Sequence, residues 1–462
     1  MKLKKRFAQI ILLALIQLLP GSLLIGQEQE NTRIITLDEF IRLACSKDTV
    51  FQEILIDELA LKYRKALTLP AGDIVLSVES QYDLFFNPDE QDTENSVSLS
   101  KLFPYTGTDI SAEYSSSVGS STRTPSSEFT ASVSQPIAEN AFGRNTRLLD
   151  KITGIEIDVA RHQIAEAYED YLASLIQIYY DWYSAYENLK TGRSSYNENV
   201  KLLENIRERE KNKVALPIDV NKINLQVIAK EENLISLEEK YIEYLNLVKQ
   251  ALRYEGAEDL LPQDSSLYAS LVADFRKDYD KFRENSRTSL ILKLLEEKSS
   301  VEVDKYADEL LPSINLFAGY SLSGSGHGIE SKEKTVFAGL SLDWPFPGET
   351  ERAGYETARI GFEKAKLSSD NIHIRLYTGL LNLNQQIERE KKLISLADEK
   401  ISLAQSIVDE ETKNYSLGRV TLNDLIDEIN RLEDNKFSKI SHQIQLKKLI
   451  IEWLRLTDTL IK

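Results

Sequence analysis

The sequence predicts a mainly α-helical protein with a membrane β part, in which long antiparallel helical hairpins meet strands that cross a bilayer. Three observations predict it: a hairpin of period two from Leu311 to Trp344, helical patterns of about 70 residues without a proline, and an element order that occurs twice. In the first arm Ile314, Leu316, Ala318, Tyr320 and Leu322 share a face, opposed by Asn315, Gly319, Ser321 and Ser323, with Phe317 the exception. In the second arm Val336, Ala338, Leu340, Leu342 and Trp344 oppose Gly339, Ser341 and Asp343. Each arm is long enough to cross a bilayer when tilted. Leu316, Tyr320, Leu340, Leu342 and Trp344 are therefore expected to face lipid, and the small polar face to line a lumen.

Bulk composition narrows the class. Among 462 residues there are only 11 prolines and 19 glycines, too few to punctuate several globules. Residues 1–26 have the form of a secretory signal, with Lys2, Lys4, Lys5 and Arg6 ahead of an apolar run from Phe7 to Leu19 and an exit near Gly26. No cysteine lies near that exit, so no lipid attachment is expected, and Cys45, the one cysteine, can form no intrachain disulfide. The formal charge of −17, more negative once the basic leader is removed, excludes nucleic-acid binding through the net field.

In chain order, Thr36-Leu-Asp-Glu39 is a capping box opening a helix that should stop before Pro70. Four strand candidates follow within about 73–136, around Ile74–Tyr82, Ser96–Ser100, Ile110–Val118 and Phe129–Ser134. Phe85, Phe86, Phe103, Tyr105 and Trp344 lie near strand ends, where an interfacial girdle would place aromatics. From Arg144 to Lys213 one helix of roughly 100 Å is expected, with Tyr179, Trp182, Tyr183 and Tyr186 as its packing stripe. Pro217 and Asp219 then start a helix of roughly 55 Å reaching about Tyr254. Residues 256–270 read as a linker or equatorial loop. The plan then restarts with a helix from about Leu271 to Glu309, the hairpin at about 313–344, a second helix of about 100 Å from Glu349 to Ser416, a turn, and a last short helix. The expected division is thus 1–26 signal, 27–255 first repeat, 256–270 linker and 271–462 second repeat. Two short helices end to end match one long one. Because no single repeat buries its apolar stripe, copies must associate sideways as coiled-coil pairs.

Thr36-Leu-Asp-Glu-Phe-Ile-Arg-Leu-Ala44, the Leu-Pro-Ser-Ile-Asn-Leu-Phe-Ala-Gly-Tyr run at 311–320, the Ser134-Gln-Pro136 strand exit and Tyr415-x-x-Gly418 followed by Asp424 together resemble the outer-membrane efflux protein family, the TolC-like channels. The resemblance spans nearly all of the mature chain. It implies a homotrimer in which an α-barrel of helical hairpins continues a transmembrane β-barrel completed by trimerisation. It also implies an outer-membrane location with the helices in the periplasm, and partners in a periplasmic adaptor (membrane fusion) protein and an inner-membrane pump. The family supplies four strands per copy, whereas six candidates are counted here. Three placements stand open for the extra pair, about residues 95–118: within the barrel, plugging it, or outside it.

Nothing in the sequence looks catalytic, and no cofactor is expected. His162, His327, His373 and His442 have no metal-ligand spacing, and no phosphate loop or nucleophile motif is present. By resemblance, Asp424 and Asp427 match aspartates that ring the periplasmic aperture, Tyr415 matches a tyrosine that helps hold it shut, and Asp219 aligns with Asp424 in the first repeat. Asp424 and Asp427 are three apart on one helix face, though Thr421-x-x-Asp424 is equally a helix-start signature, so capping and pore lining both stand for Asp424. Two departures bear on the gate: Val420 stands where an arginine is expected, with Arg419 only adjacent, and Lys213 stands where a glycine is expected. The expected function is a passive outer-membrane exit duct of a tripartite efflux or type I secretion system. The alternatives are a periplasmic coiled-coil adaptor and a structural protein of an envelope complex.

Overall fold

A computed structural model describes residues 32–47, 49–86, 89–119, 126–256, 258–264, 275–325 and 333–460, with backbone alone at 32, 85–86, 89–91 and 277–278. The leader at 1–26, His327 and the side chains of Phe85 and Phe86 lie outside the described residues.

The largest sheet and the turns of the long helices occupy opposite ends. Six strands form one antiparallel sheet: β2 (Ile74–Phe86), β3 (Asp89–Phe103), β4 (Thr108–Gly119), β5 (Ser126–Pro136), β7 (Ser313–Ser325) and β8 (Glu333–Asp343), hydrogen-bonded in that order. The extra hairpin therefore joins the wall, between β2 and β5. Register makes the alternation continuous across strands. One face runs Leu76, Leu99, Ala112, Ala131, Tyr320 and Val336, and the adjacent row on the other face runs Ser77, Ser98, Glu113, Thr130, Ser321 and Thr335. The predicted lipid-facing residues lie on the apolar face or, for Trp344, just past β8, and all are exposed. β2 and β8 each keep one unpaired edge, so a single chain does not close the sheet.

Two helices of 68 residues each, α4 (Arg144–Lys211) and α8 (Glu349–Ser416), run about 100 Å away from the sheet. Each turns back into a shorter helix, α5 (Pro217–Leu252) or α9 (Leu422–Leu456). The return path towards the sheet is more broken than expected. The helix predicted from Thr36 to Pro70 is three pieces, α1 (Leu37–Lys47), α2 (Thr49–Ala60) and α3 (Arg64–Thr68). The helix predicted from Leu271 to Glu309 is two, α6 (Phe275–Asn285) and α7 (Arg287–Glu309). Ser286 causes the second break, because its side chain accepts the Ser289 N–H at 3.0 Å and so starts a new helix.

The stretch read as a plain linker contains a strand, β6 (Asp259–Pro262), pairing in parallel with β1 (Thr32–Ile35). Both pack on the middle of α4, where the largest core gathers Phe40, Tyr179, Tyr180 and Trp182 at 0–1% exposure. Tyr179 Oη lies 2.7 Å from the Gln263 carbonyl and 2.9 Å from that of Ile35, clasping the two strands onto the helix. Among the described residues no helix is long and apolar enough to cross a membrane.

Candidate functional site

The sequence places its aperture residues where the long helices turn back, and the structure brings these two turns together. Leu203 and Ile206 of α4, Ile223 of α5 and Leu422 of α9 are buried in one cluster, against which Tyr415 packs. Both long helices end alike. At the first, Lys213 N–H donates to Glu210 O at 2.8 Å and Val214 N–H to Arg209 O at 2.8 Å. At the second, Gly418 N–H donates to Tyr415 O at 3.0 Å and Arg419 N–H to Asn414 O at 2.9 Å. This paired closure needs a left-handed residue, supplied by Gly418 at φ 70° and by Lys213 at φ 58°. The lysine thus adopts the conformation for which glycine was expected.

Asp424 serves the helix start. Its carboxylate accepts the Thr421 N–H at 3.0 Å and the Thr421 hydroxyl at 2.7 Å, while its own N–H donates to that hydroxyl oxygen at 3.3 Å. The Thr421 hydroxyl and then the backbone N–H hold the carboxyl below the ordinary aspartate value of 3.8. A carboxyl depressed on folding stabilises above its unfolded value and loses that contribution as pH falls through the folded one. Asp424→Asn is therefore expected to lower the melting temperature at neutral pH, with the gap to wild type closing below pH 3.8 in a thermal series. Asp219 plays the matching part in the first turn, accepting the Leu216 N–H at 3.2 Å. Asp424 remains exposed, as does Asp427 on its face, so capping leaves these two carboxylates facing water, while Asp219 is half-buried.

Tyr415 is held by a residue that sequence reasoning missed. The Arg209 guanidinium stacks 4.8 Å from the centre of its ring and sits 3.4 Å from the carbonyls of Tyr415 and Ser416. Burial pushes the phenol up and the Arg209 charge pulls it back. Arg419, the nearest substitute for the missing arginine, is exposed and contributes its backbone. The tie between the two turns thus runs from α4 of the first half to the turn of the second. Three turns back along α5, Lys230 and Glu433 form a buried ion pair that also accepts the Ser195 hydroxyl at 2.7 Å. Gln226 donates to Asn430 at 2.7 Å beside it.

The architecture that carries this tip is found in solved structures. The outer-membrane channel OprN superposes with a TM-score of 0.70 at 13% identity, over 91% of this chain and 89% of that one. CusC, whose crystal structures concern transmembrane channel formation, gives 0.71 at 10% over 91% of each chain. The outer membrane protein VceC of Vibrio cholerae gives 0.67 at 14% over 91% and 95%. This chain has the outer-membrane channel fold. No family model and no curated protein matches the sequence, so the likeness lies in the backbone. Within that fold Leu316, Tyr320, Leu340 and Leu342 share the apolar face of the six-stranded sheet.

Proposed function

We propose that the chain is the protomer of a homotrimeric outer-membrane channel, a passive exit duct for cargo delivered by a periplasmic adaptor and an inner-membrane pump. The observation that carries this reading is a membrane-patterned sheet left open at both edges on helices with unpartnered apolar stripes. Ile360, Leu367 and Ile374 on α8, and Ile228, Ile235 and Ile242 on α5, recur every seven residues and stand exposed in the single chain. Such stripes fit lateral coiled-coil contacts with further copies. Three copies would supply eighteen strands, six from each, a size at which barrels enclose an aqueous lumen. Exposed Phe103, Tyr105, Phe142, Trp344 and Phe346 gather at the helix-side rim as an interfacial belt would.

In this reading residues 27–255 and 271–462 are two structural repeats joined by the segment 256–270, after a cleaved leader at 1–26. The helices lie in the periplasm and the tip is the aperture. Asp424, Asp427 and Asp219 line it, and Tyr415 with Arg209 holds it narrow, while Arg419 is free to meet a neighbouring copy. Exposed Val214, Leu216, Ile218 and Leu417 at the turns offer an apolar edge to the adaptor. The adaptor alternative lacks support, because the strands form one lumen-patterned wall rather than small domains between helices.

Purified protein in planar bilayers is expected to give cation-preferring conductance. Asp424→Ala with Asp427→Ala should lower that preference, and Arg209→Leu should raise conductance. Absence of any current would reject the channel, while unchanged selectivity would reject only the aspartate aperture.

A further inference from the structure

The inward face of the wall carries two aromatic rings, each set against a glycine of the neighbouring strand. Phe317-Ala318-Gly319 on β7 and Phe337-Ala338-Gly339 on β8 are the same tripeptide, met antiparallel about the Ala318–Ala338 pair. Each phenylalanine therefore stands opposite the other strand's glycine. A Cβ built on Gly319 would lie 2.3 Å from Phe337 Cζ, and one on Gly339 would lie 2.6 Å from Phe317 Cζ. Each ring thus reaches across the glycine opposite, with centroids 6.3 Å apart and planes tilted 54° to one another. Both rings are half-buried, so part of each stays open on the inward side.

The surroundings are acidic without compensation. The only basic residues in the six strands, Lys101 and Lys334, fall on the outward face, in register with Ile110 and Leu322. Glu113 and Glu128 point inward, and Glu128 accepts the Ser321 hydroxyl at 2.7 Å and that of Thr130 at 3.3 Å. Ser321 pairs with Thr335, two residues from Phe337, so the carboxylate is drawn to one inward row above the ring, about 7 Å along the strand. Asp109 shares the row of Phe317 through Ser134, about 10 Å away across two strand spacings. An aromatic face flanked by carboxylates and no cation attracts positive charge and stacking together.

We infer that this wall is a docking platform for flat lipophilic cations, a transit site presented once by each copy. The inference rests on the channel reading, since only a closed barrel makes the inward face a lumen. An aromatic monocation gains from both the rings and the acids. A neutral aromatic loses the second contribution, and an anion is repelled.

Ethidium is the probe, with fluorescein as an anion of similar size. In planar bilayers ethidium is expected to block the current reversibly and fluorescein to leave it unchanged. Phe317→Leu with Phe337→Leu, which keeps apolar cover over both glycines, should raise the half-blocking concentration at least tenfold. Glu113→Gln with Glu128→Gln should raise it at least threefold, and Tyr320→Leu on the outward face should not move it. Ethidium fluorescence anisotropy against protein in nanodiscs should follow the same order. Block by fluorescein at equal concentration, or binding undiminished in both double variants, overturns the platform. Current without ethidium block or binding refutes the platform alone, and ethidium binding without current refutes the duct reading alone. Should the leucine pair fail to insert, the glutamine pair decides.

Discussion

Gly143→Ala is expected to abolish assembly of the proposed trimer, although the residue lies outside both the sheet and the tip. Gly143 has φ 75°, and a Cβ there would lie 2.4 Å from the Tyr105 carbonyl oxygen, 2.5 Å from its carbon and 2.8 Å from the Pro104 oxygen. These are backbone atoms of the β3–β4 turn and cannot rotate away. Left-handed geometry alone costs an L residue about 1–2 kcal/mol, and the clash adds to it. Gly107 of the same turn faces back, with its added Cβ 3.2 Å from Gly143 N, so hairpin and helix start meet glycine to glycine. Arg147 closes the contact by donating to the Tyr105 carbonyl at 2.9 Å. Heated and unheated gel mobility of membrane fractions measures the outcome. Gly361→Ala, on α8 with nothing within 4 Å of the added carbon, is the control and should gain about 1 kcal/mol of helix propensity.

Lys230→Ala is the second large effect. Lys230 and Glu433 are 14% and 7% exposed, and breaking such a pair leaves a buried carboxylate with the Ser195 hydroxyl as its remaining partner. About 3–5 kcal/mol is expected. Because large assemblies unfold irreversibly, the readout is the rate of limited proteolysis in the lower helices, which should rise by more than tenfold. Lys230→Met combined with Glu433→Leu removes both charges and should restore much of the resistance. A lone lysine variant as resistant as wild type would show that the pair contributes nothing.

What the sequence made legible follows from range. Ile74 to Ser134 reads as strands because its alternation is local, and Glu349–Ser416 reads as one helix because nothing inside it stops one. The β1–β6 pair was invisible because four-residue strands more than two hundred positions apart carry no period. Ser286 was missed because a serine in a helical pattern shows its capping role only once the preceding turn has ended. At the tip, Tyr415 and the acidic residues could be picked out by resemblance, but Arg209 lies in the other half of the chain. Its stacking on Tyr415 exists only when α4 and α8 end side by side. The Phe317 exception to alternation was plain in the sequence, and only strand register reveals the glycine it covers.

The clasp of Tyr179 on Ile35 and Gln263 has a mechanical corollary. It fastens the waist of the molecule, with Trp182 the last ring of the fully buried cluster. From there to Lys211 the α4 arm is about 43 Å long. A swing of only about 10° at that point would carry the far end sideways by about 7 Å. A small rotation at the middle would therefore become a larger displacement at the turns.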